Sequence, residues 1–479
     1  MTDGEKRTSR LEALVLGVPA VAALTLGFWG ASGLSLWRDE GISVLVARRS
    51  IPDMARFLSH LDAVHGTYYL LLHGVIALFG DGELALRLAS IVALAVAAAG
   101  VAALGRGLIS PLGGLLAGLV YAGSPFASRH ALEVRAYAIT TALAVVATLL
   151  LVRTLEDGTR RRYAGYGAAV VALGAVHLFA LLVVAAHLVT VLLTRRERLA
   201  GWLATMAAAG LVLSPLAVLA ASQSHVTHWL RRPGLGAVSD FATEFSGSDD
   251  LVPVVGLAVL AGVALARPRG PVDVRALALP WLVVPAAVLM LVSQFHPIYQ
   301  PRYVIASLPA VALLAAAGLV RLRRHTWVAP LLLIGLLAAE PQAKLRDPGR
   351  WPDQLREGAD VVRRHSRPGD AVVWLPAGRR AVGEVYPDAF GHLRDLAMAV
   401  SPTRAEDFAG IEHGPDEIVR RLQDPSVTRA WLVEGETLWR GPGMDPVNRA
   451  KIDGLTAHFR PSSHWRVRGL SITLYTRRS

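Results

Sequence analysis

Residues 67–80 read TYYLLLHGVIALFG. The segment is apolar, but fourteen residues make a helix of only about 21 Å, whereas a bilayer core is about 30 Å thick. Whether it crosses decides the sidedness of everything that follows. If it does not cross, the basic residues of the chain fall on one face: Lys6, Arg7 and Arg10, the loop with Arg106, Arg160 to Arg162, Arg195, Arg196 and Arg198, the loop Arg267 to Arg275, and Arg321, Arg323 and Arg324. Loops rich in Lys and Arg mark the cytoplasmic side. If it does cross, every later basic loop is exported while the N-terminus stays inside, which the positive-inside rule disfavours. The segment is therefore expected to lie along the outer interface.

Working outward, apolar stretches run over residues 11–33, 84–104, 112–126, 136–152, 164–194, 200–221, 251–266, 276–293, 303–320 and 327–341. As one helix the 164–194 stretch spans about 45 Å, too long for one untilted crossing, so a break is expected near His177. About eleven crossings follow, with the N-terminus cytoplasmic and everything after about residue 342 outside. Composition agrees. The 479 residues are 53% hydrophobic and 18% charged, against about 25% charged in soluble domains. The formal charge of +12 sits in short loops between apolar runs, where it reads as a topology signal and a set of headgroup contacts rather than a nucleic-acid surface. With no Cys there is no disulfide framework, thiol nucleophile or thiolate metal site.

The expected fold is an α-helical polytopic membrane protein, residues 1–345 with a first outer loop at 34–83, followed by an extracytoplasmic α/β domain at 346–479. In that tail Asp353 to His365 reads as a helix, Arg367 to Asp370 as a turn and Ala371 to Pro376 as a buried strand. Pro415 to Leu422 reads as a helix, and Thr428 to Val433 and Trp465 to Tyr475 as strands. No glycine-rich phosphate loop or internal repeat is present.

The outer side carries the unusual residues. After the first apolar stretch stands Trp37-Arg38-Asp39-Glu40-Gly41. Asp39 there is either the cap of a helix over 40–49 or a general base facing a lipid-borne substrate. The next outer loop, Ser128 to Tyr137, holds Arg129, His130, Glu133 and Arg135 between two spans. Ionisable groups at that depth are functional candidates, and the plainer alternative is an ion pair of Glu133 with Arg129 or Arg135. Arg87, four residues after Glu83, is explained by an i,i+4 pair with a snorkelling side chain. Arg302 and Tyr303 open a late span. The Arg fork suits a phosphate, while the same pair also reads as an interface anchor. His65, His73 and His177 are scattered among apolar residues with no metal-ligand spacing, and no metal site is expected.

Together these stretches resemble the GT-C glycosyltransferases, in the branch of protein O-mannosyltransferases, lipid A aminoarabinose transferases and related bacterial mannosyltransferases. The carriers are LWRDE at 36–40, HGTYYLLLH at 65–73, FGDGELALRLAS at 79–90, SPFASRHALEVRAY at 124–137, VHLFALL at 176–182 and QPRYVIASLP at 300–309. The resemblance implies a multi-pass protein of the bacterial plasma membrane that transfers a sugar with inversion, on the outer face, from a polyprenyl-phosphate donor. It implies Asp39 as the catalytic acid of the first outer loop, Glu133 as a second acidic position, and Glu40, Arg135 and Tyr137 as parts of the same motifs. Two departures stand out. The His-Pro-Pro common before the interfacial helix is His65-Gly66-Thr67 here, and the lysine some relatives set on the donor phosphate has no counterpart, so an Arg or His must serve.

Chemistry gives these residues roles. A carboxylate, Asp39, takes the proton of a poorly nucleophilic acceptor hydroxyl. Fixed cations at Arg302, Arg135 and Arg87 stabilise the departing lipid phosphate, with His65, Tyr137 and Tyr303 completing the donor-binding set. The expected partners are membrane lipids, the lipid-linked sugar and a glycan, lipid or protein acceptor, with no nucleic acid. No cofactor beyond the lipid-linked donor is implied, and dependence on a divalent metal is left open. The competing reading is a transporter or flippase for a lipid-linked or anionic substrate, which should place its ionisable groups near the bilayer midplane within related halves. A non-catalytic assembly subunit would leave Asp39 and Glu133 without a role.

Overall fold

The structure is a computed structural model that describes residues 3–223, 231–323, 325–436, 441 and 443–478. Part of the expected outer loop 223–250, and Arg324 of the last basic run, therefore lie outside the described residues. The chain forms two compact units. One comprises residues 1–32, 62–68 and 86–345, the other residues 33–61, 69–85 and 346–479.

In chain order the helices up to residue 344 are α1 (Asp3–Phe28), α2 (Arg38–Ala47), α3 (Ile51–His60), α4 (Gly66–Phe79), α5 (Glu83–Leu108), α6 (Pro111–Ala122), α7 (Pro125–Ala131), α8 (Tyr137–Asp157), α9 (Arg160–Val176), α10 (Leu182–Thr194), α11 (Leu199–Ser222), α12 (Gly236–Ser246), α13 (Leu251–Leu265), α14 (Val274–Val292), α15 (Leu308–Leu319) and α16 (Val328–Lys344). Among the described residues six helical segments are long and apolar enough to cross a bilayer, or seven if α12 and α13, bent by 86°, count as one. Other crossings read from the sequence coincide with shorter apolar helices such as α6, α10 and α16, of 12, 13 and 17 residues. The 164–194 stretch does break at His177, where α9 gives way to a 3-10 turn at Leu178–Leu181 and then α10.

Local chemistry sets the ends. Ser110 and Ser124 accept the backbone N–H groups of Gly113 and Ala127, with Pro111 and Pro125 at the next position, so α6 and α7 start where the sequence has Ser-Pro. Thr159 caps α9 in the same way, and Gly158 closes α8 in a left-handed conformation at φ 63°.

The first unit is held by close helix contacts through small residues, as lipid-embedded bundles require. A Cβ on Gly105 would meet Gly114 Cα at 2.9 Å, and one on Gly318 would meet the Ala258 carbonyl oxygen at 2.3 Å. One polar network is buried among these helices. His187 on α10 is 2.9 Å from the Tyr166 hydroxyl and 3.0 Å from Thr148 Oγ1, and the Trp202 indole donates to Tyr166 at 3.2 Å. It ties α8, α9, α10 and α11 together with each polar group partnered.

The second unit adds α17 (Leu355–His365), α18 (Arg380–Val385), α19 (Pro387–Phe390), α20 (Pro415–Gln423) and α21 (Pro446–His458). Its strands are β1 (Ala371–Leu375), β2 (Arg394–Asp395), β3 (Met398–Val400), β4 (Ile411–Glu412), β5 (Arg429–Gly435), β6 (Phe459–Val467) and β7 (Leu470–Arg477). The main sheet has the order β2-β1-β5-β7-β6, with β1 parallel to β2 and β5, and β7 antiparallel to β5 and β6. Its core holds Val373, Leu375, Ile418, Leu422, Leu432, Leu455 and Phe459. The helix, turn and strand read from 353 to 376 match α17 and β1. The expected single strand at 465–475 is corrected to a hairpin, because Gly469 at φ 81° reverses the chain between β6 and β7.

Residues 33–61 and 69–85 form this unit jointly with the C-terminal residues. The Arg38 N–H donates to Asp353 Oδ2 at 3.0 Å, and the Arg356 N–H to Ser35 Oγ at 2.9 Å. The Arg356 guanidinium reaches Glu83 at 2.5 Å, and the Tyr386 hydroxyl donates to the same carboxylate at 2.8 Å. Arg48 is held by the carbonyls of Glu384 and Val385.

Candidate active site

In the second unit the Trp37–Glu40 turn starts α2. The helix begins at Arg38, two residues earlier than a cap at Asp39 requires, and Glu40 satisfies the end: its carboxylate accepts the Trp37 N–H at 3.0 Å. Glu40 is fully buried, whereas Asp39, in the first turn of α2, is half-buried. The capping role that the sequence offered to Asp39 thus belongs to Glu40. His73 on α4 fixes the far end of α2 through its Nδ1, 2.8 Å from the Ala47 carbonyl oxygen.

In the first unit the loop between α7 and α8 forms a second group. Glu133 is 2% exposed, with His130 Nδ1 at 2.8 Å and Arg129 Nε at 3.4 Å from its two oxygens. Burial by itself raises the Glu133 carboxyl, but His130, Arg129 and Arg302 together bring it down to about 2. The loop is fixed from behind by α5. Ser90 Oγ donates to the Glu133 carbonyl at 3.0 Å, and Arg87 Nε to the Leu132 carbonyl at 2.6 Å. Arg87 also reaches the Ala31 carbonyl at 3.1 Å and is 0% exposed. The snorkelling side chain expected from sequence is corrected on this point, since Arg87 is buried as a clamp on two backbone turns.

Further along the loop the Arg135 guanidinium donates to His65 Nε2 at 3.4 Å, and Asp62 Oδ1 sits 2.7 Å from His65 Nδ1. The aspartate holds the Nδ1 proton and leaves Nε2 as the acceptor. Arg302 and Tyr303 do not open a regular helix. They lie on a 3-10 turn, Pro301–Ser307, held by the Trp281 indole N–H on the Ala306 carbonyl at 2.8 Å, and α15 starts after it. The Arg302 guanidinium stands 5.6 Å from the Tyr303 ring centre. From there a row of rings runs inward: Phe179 stacks on Tyr303 at 5.3 Å, His177 lies 6.1 Å from Tyr303 and 5.8 Å from Tyr137, and Tyr137 lies 4.9 Å from His130.

The first unit therefore brings Glu133, Arg135, Arg302, His65, Tyr137 and Tyr303 into one cluster, with Arg87 behind its backbone, while Asp39 and Glu40 belong to the second unit. Arg129 and His130 were noted in sequence only as charged members of the loop, the Glu133–Arg129 pair being the plainer alternative that the structure does show, and Asp62, His177 and Phe179 were not given a site role. The His130 and Glu133 spacing of three on a helical turn was a usable signal; the packing of His177 against two tyrosines was not visible along the chain. Chemically, the cluster offers planar guanidinium forks suited to phosphate oxygens beside an aromatic wall. Among the described residues no three His, Asp or Glu side chains form a metal-ligand group.

The family model described as Dolichyl-phosphate-mannose-protein mannosyltransferase matches residues 67–221, about a third of the chain. Among solved structures, ArnT from Cupriavidus metallidurans bound to undecaprenyl phosphate superposes with a TM-score of 0.65 at 13% identity, covering 96% of this chain and 98% of that one. The same protein in the apo state gives 0.64 at 14% identity, with 95% and 97% covered. No curated protein matches the chain by sequence. The chain thus matches that mannosyltransferase model over residues 67–221 and shares the ArnT fold over nearly its whole length, as a helical polytopic membrane protein with a C-terminal α/β sheet.

Proposed function

We propose that the chain moves a sugar from a polyprenyl phosphate to an acceptor hydroxyl with inversion, at the extracytoplasmic face of a bacterial plasma membrane. The observation that carries the reading is the loop cluster in which Arg135 and Arg302 accompany the buried Glu133. A carboxylate as acidic as Glu133 is a poor base near neutral pH, so its part is to hold cations in place, and theirs is to meet the lipid phosphate. The undecaprenyl phosphate bound by ArnT supports that donor class.

In the proposed reaction the bond from the anomeric carbon to the phosphate oxygen breaks, and its electron pair leaves with the polyprenyl phosphate. The acceptor oxygen bonds to the opposite face of the same carbon, and its proton goes to Asp39. Arg302 and Arg135 stabilise the charge on the leaving phosphate, with His65 orienting Arg135 and Tyr137 and Tyr303 flanking the sugar. Glu40 holds the helix start that presents Asp39, and Arg87 holds the loop that presents Glu133 and Arg135. In this proposal the membrane part comes from residues 1–345, with a cytoplasmic N-terminus, except for residues 33–61 and 69–85, which form one unit with the extracytoplasmic residues 346–479.

The test is turnover of a polyprenyl-phosphate sugar by purified full-length Asp39→Asn. Asn keeps the shape and loses the basicity, so the rate should fall by about 10² to 10⁴ with donor binding retained. Near wild-type turnover would remove Asp39 from the chemistry.

A further inference from the structure

Arg87 and Arg106 both lie on α5, nineteen residues and so about 28 Å apart along its axis, which is close to the thickness of a bilayer core. The Arg87 end clamps the Glu133 loop. The Arg106 end opens on a separate cleft of about 410 Å³, walled by the last turns of α5 and α8 and by the turn that follows Arg269. Its charged lining is Arg106, Arg153 and Arg269 against a single carboxylate, Glu156, and its apolar lining includes Leu149 and Val152.

We propose that this cleft binds the headgroup of an anionic phospholipid in the leaflet opposite the Glu133 cluster. Three arginines against one glutamate make the cleft complementary to a phosphodiester, and basic pockets between spans are where such headgroups bind. The arginines are positioned rather than loose. Arg106 is paired with Glu12 of α1 at 2.5 Å, and Arg269 donates to the Ile109 carbonyl at 3.1 Å. Arg106 Nε is buried with no hydrogen-bond acceptor among the described residues, an unused donor at the cleft wall. Leu149 and Val152 lie on α8 in the turns just before Arg153 and Glu156, so an apolar path leads from the charged end toward the lipid. That continuity favours a lipid over a free phosphate, which has no use for an apolar wall. The volume is within the range of small-ligand pockets, about 300 to 1,000 Å³.

The experiment is native mass spectrometry of the purified full-length protein, delipidated and titrated with dioleoyl phosphatidylglycerol, dioleoyl phosphatidylcholine or inorganic phosphate. Phosphatidylglycerol should bind at least about fivefold more tightly than phosphatidylcholine, and Arg153→Gln or Arg269→Gln should each weaken it by about fivefold. Glu156→Gln should tighten it by a similar factor, a gain that a misfolded variant cannot produce. Arg160→Gln, outside the cleft, should change nothing. Equal binding by wild type and the two arginine variants, or an equal loss in Arg160→Gln, would overturn the site. Displacement of the lipid by millimolar inorganic phosphate would overturn the lipid assignment in favour of a free anion. Sugar transfer is not read in this experiment, so its outcome leaves the proposed reaction untouched.

Discussion

At the scale of single residues, the surroundings of Glu133 and Arg302 set what each can do. Glu133 has a depressed folded-state pKa, so the stability it contributes is fully present above its unfolded value of about 4.5 and is lost as pH falls toward about 2. Between pH 5 and 8 it stays charged, and thermal unfolding of the wild type should show no step from this group in that window. Glu133→Gln leaves His130 and Arg129 beside a neutral amide in a buried site, at a cost of about 3 kcal/mol. The expected result is a lowered melting temperature across the whole pH 5–8 range; an unchanged one would show that the pair contributes nothing. Arg302→Lys keeps the charge but loses the planar fork, so donor affinity should fall more than protein yield. Wild-type donor binding and turnover in that variant would return Arg302 to an interface anchor.

At the scale of elements, α2 shows how a helix start is built from distant parts of the chain. Its first N–H groups are taken by Glu40 from within the helix and by Asp353 from 315 residues away. Neither acceptor is dispensable, because orphaned N–H groups at a helix start cost free energy when buried. Glu40→Ala should lower stability by about 1 kcal/mol, while Glu40→Gln, which keeps an acceptor, should restore most of it. Thermal unfolding of the two variants decides the matter: equal melting temperatures would deny the cap. If Glu40 were instead a proton carrier, Glu40→Gln would be the more damaging change in turnover with no loss of stability.

At the scale of the whole molecule, the proposed topology rests on the parity of the basic loops, with α4, at 14 residues, too short to cross untilted. Part of α4 is apolar and exposed, with Leu78 at 78% and Phe79 at 61%, a face the proposal sets against the outer interface. Reporters fused near Arg161, Arg196 or Arg323 should lie in the cytoplasm and a reporter fused at the C-terminus outside it. A cytoplasmic C-terminus would mean that α4 crosses, and the sidedness of every later loop would reverse.

Much of the architecture is written in local chemistry. Apolar stretches declare membrane helices, Ser-Pro pairs start α6 and α7, and the length of the 164–194 run forces a break that the structure sets at His177. These features depend on neighbours a few residues apart, so a sequence determines them by itself. The Gly469 hairpin was equally local, but an alternating apolar run hid a single left-handed glycine. What only tertiary structure decided is which group does which task among residues of the same type. From sequence, Asp39 was the candidate for the cap of α2, and Arg87 read as a snorkelling cation paired with Glu83. Assigning the cap to Glu40 and the loop clamp to Arg87 required knowing which backbone groups come within hydrogen-bonding distance of each. So did the joining of residues 33–61 and 69–85 to a domain that begins at Arg346. The Arg87 and Asp353 contacts span 45 and 315 residues, and hydrogen bonding at that separation leaves no periodicity along the chain to read; the Glu40 cap on Trp37 is local, but two adjacent carboxylates do not show which of them turns back on the helix start.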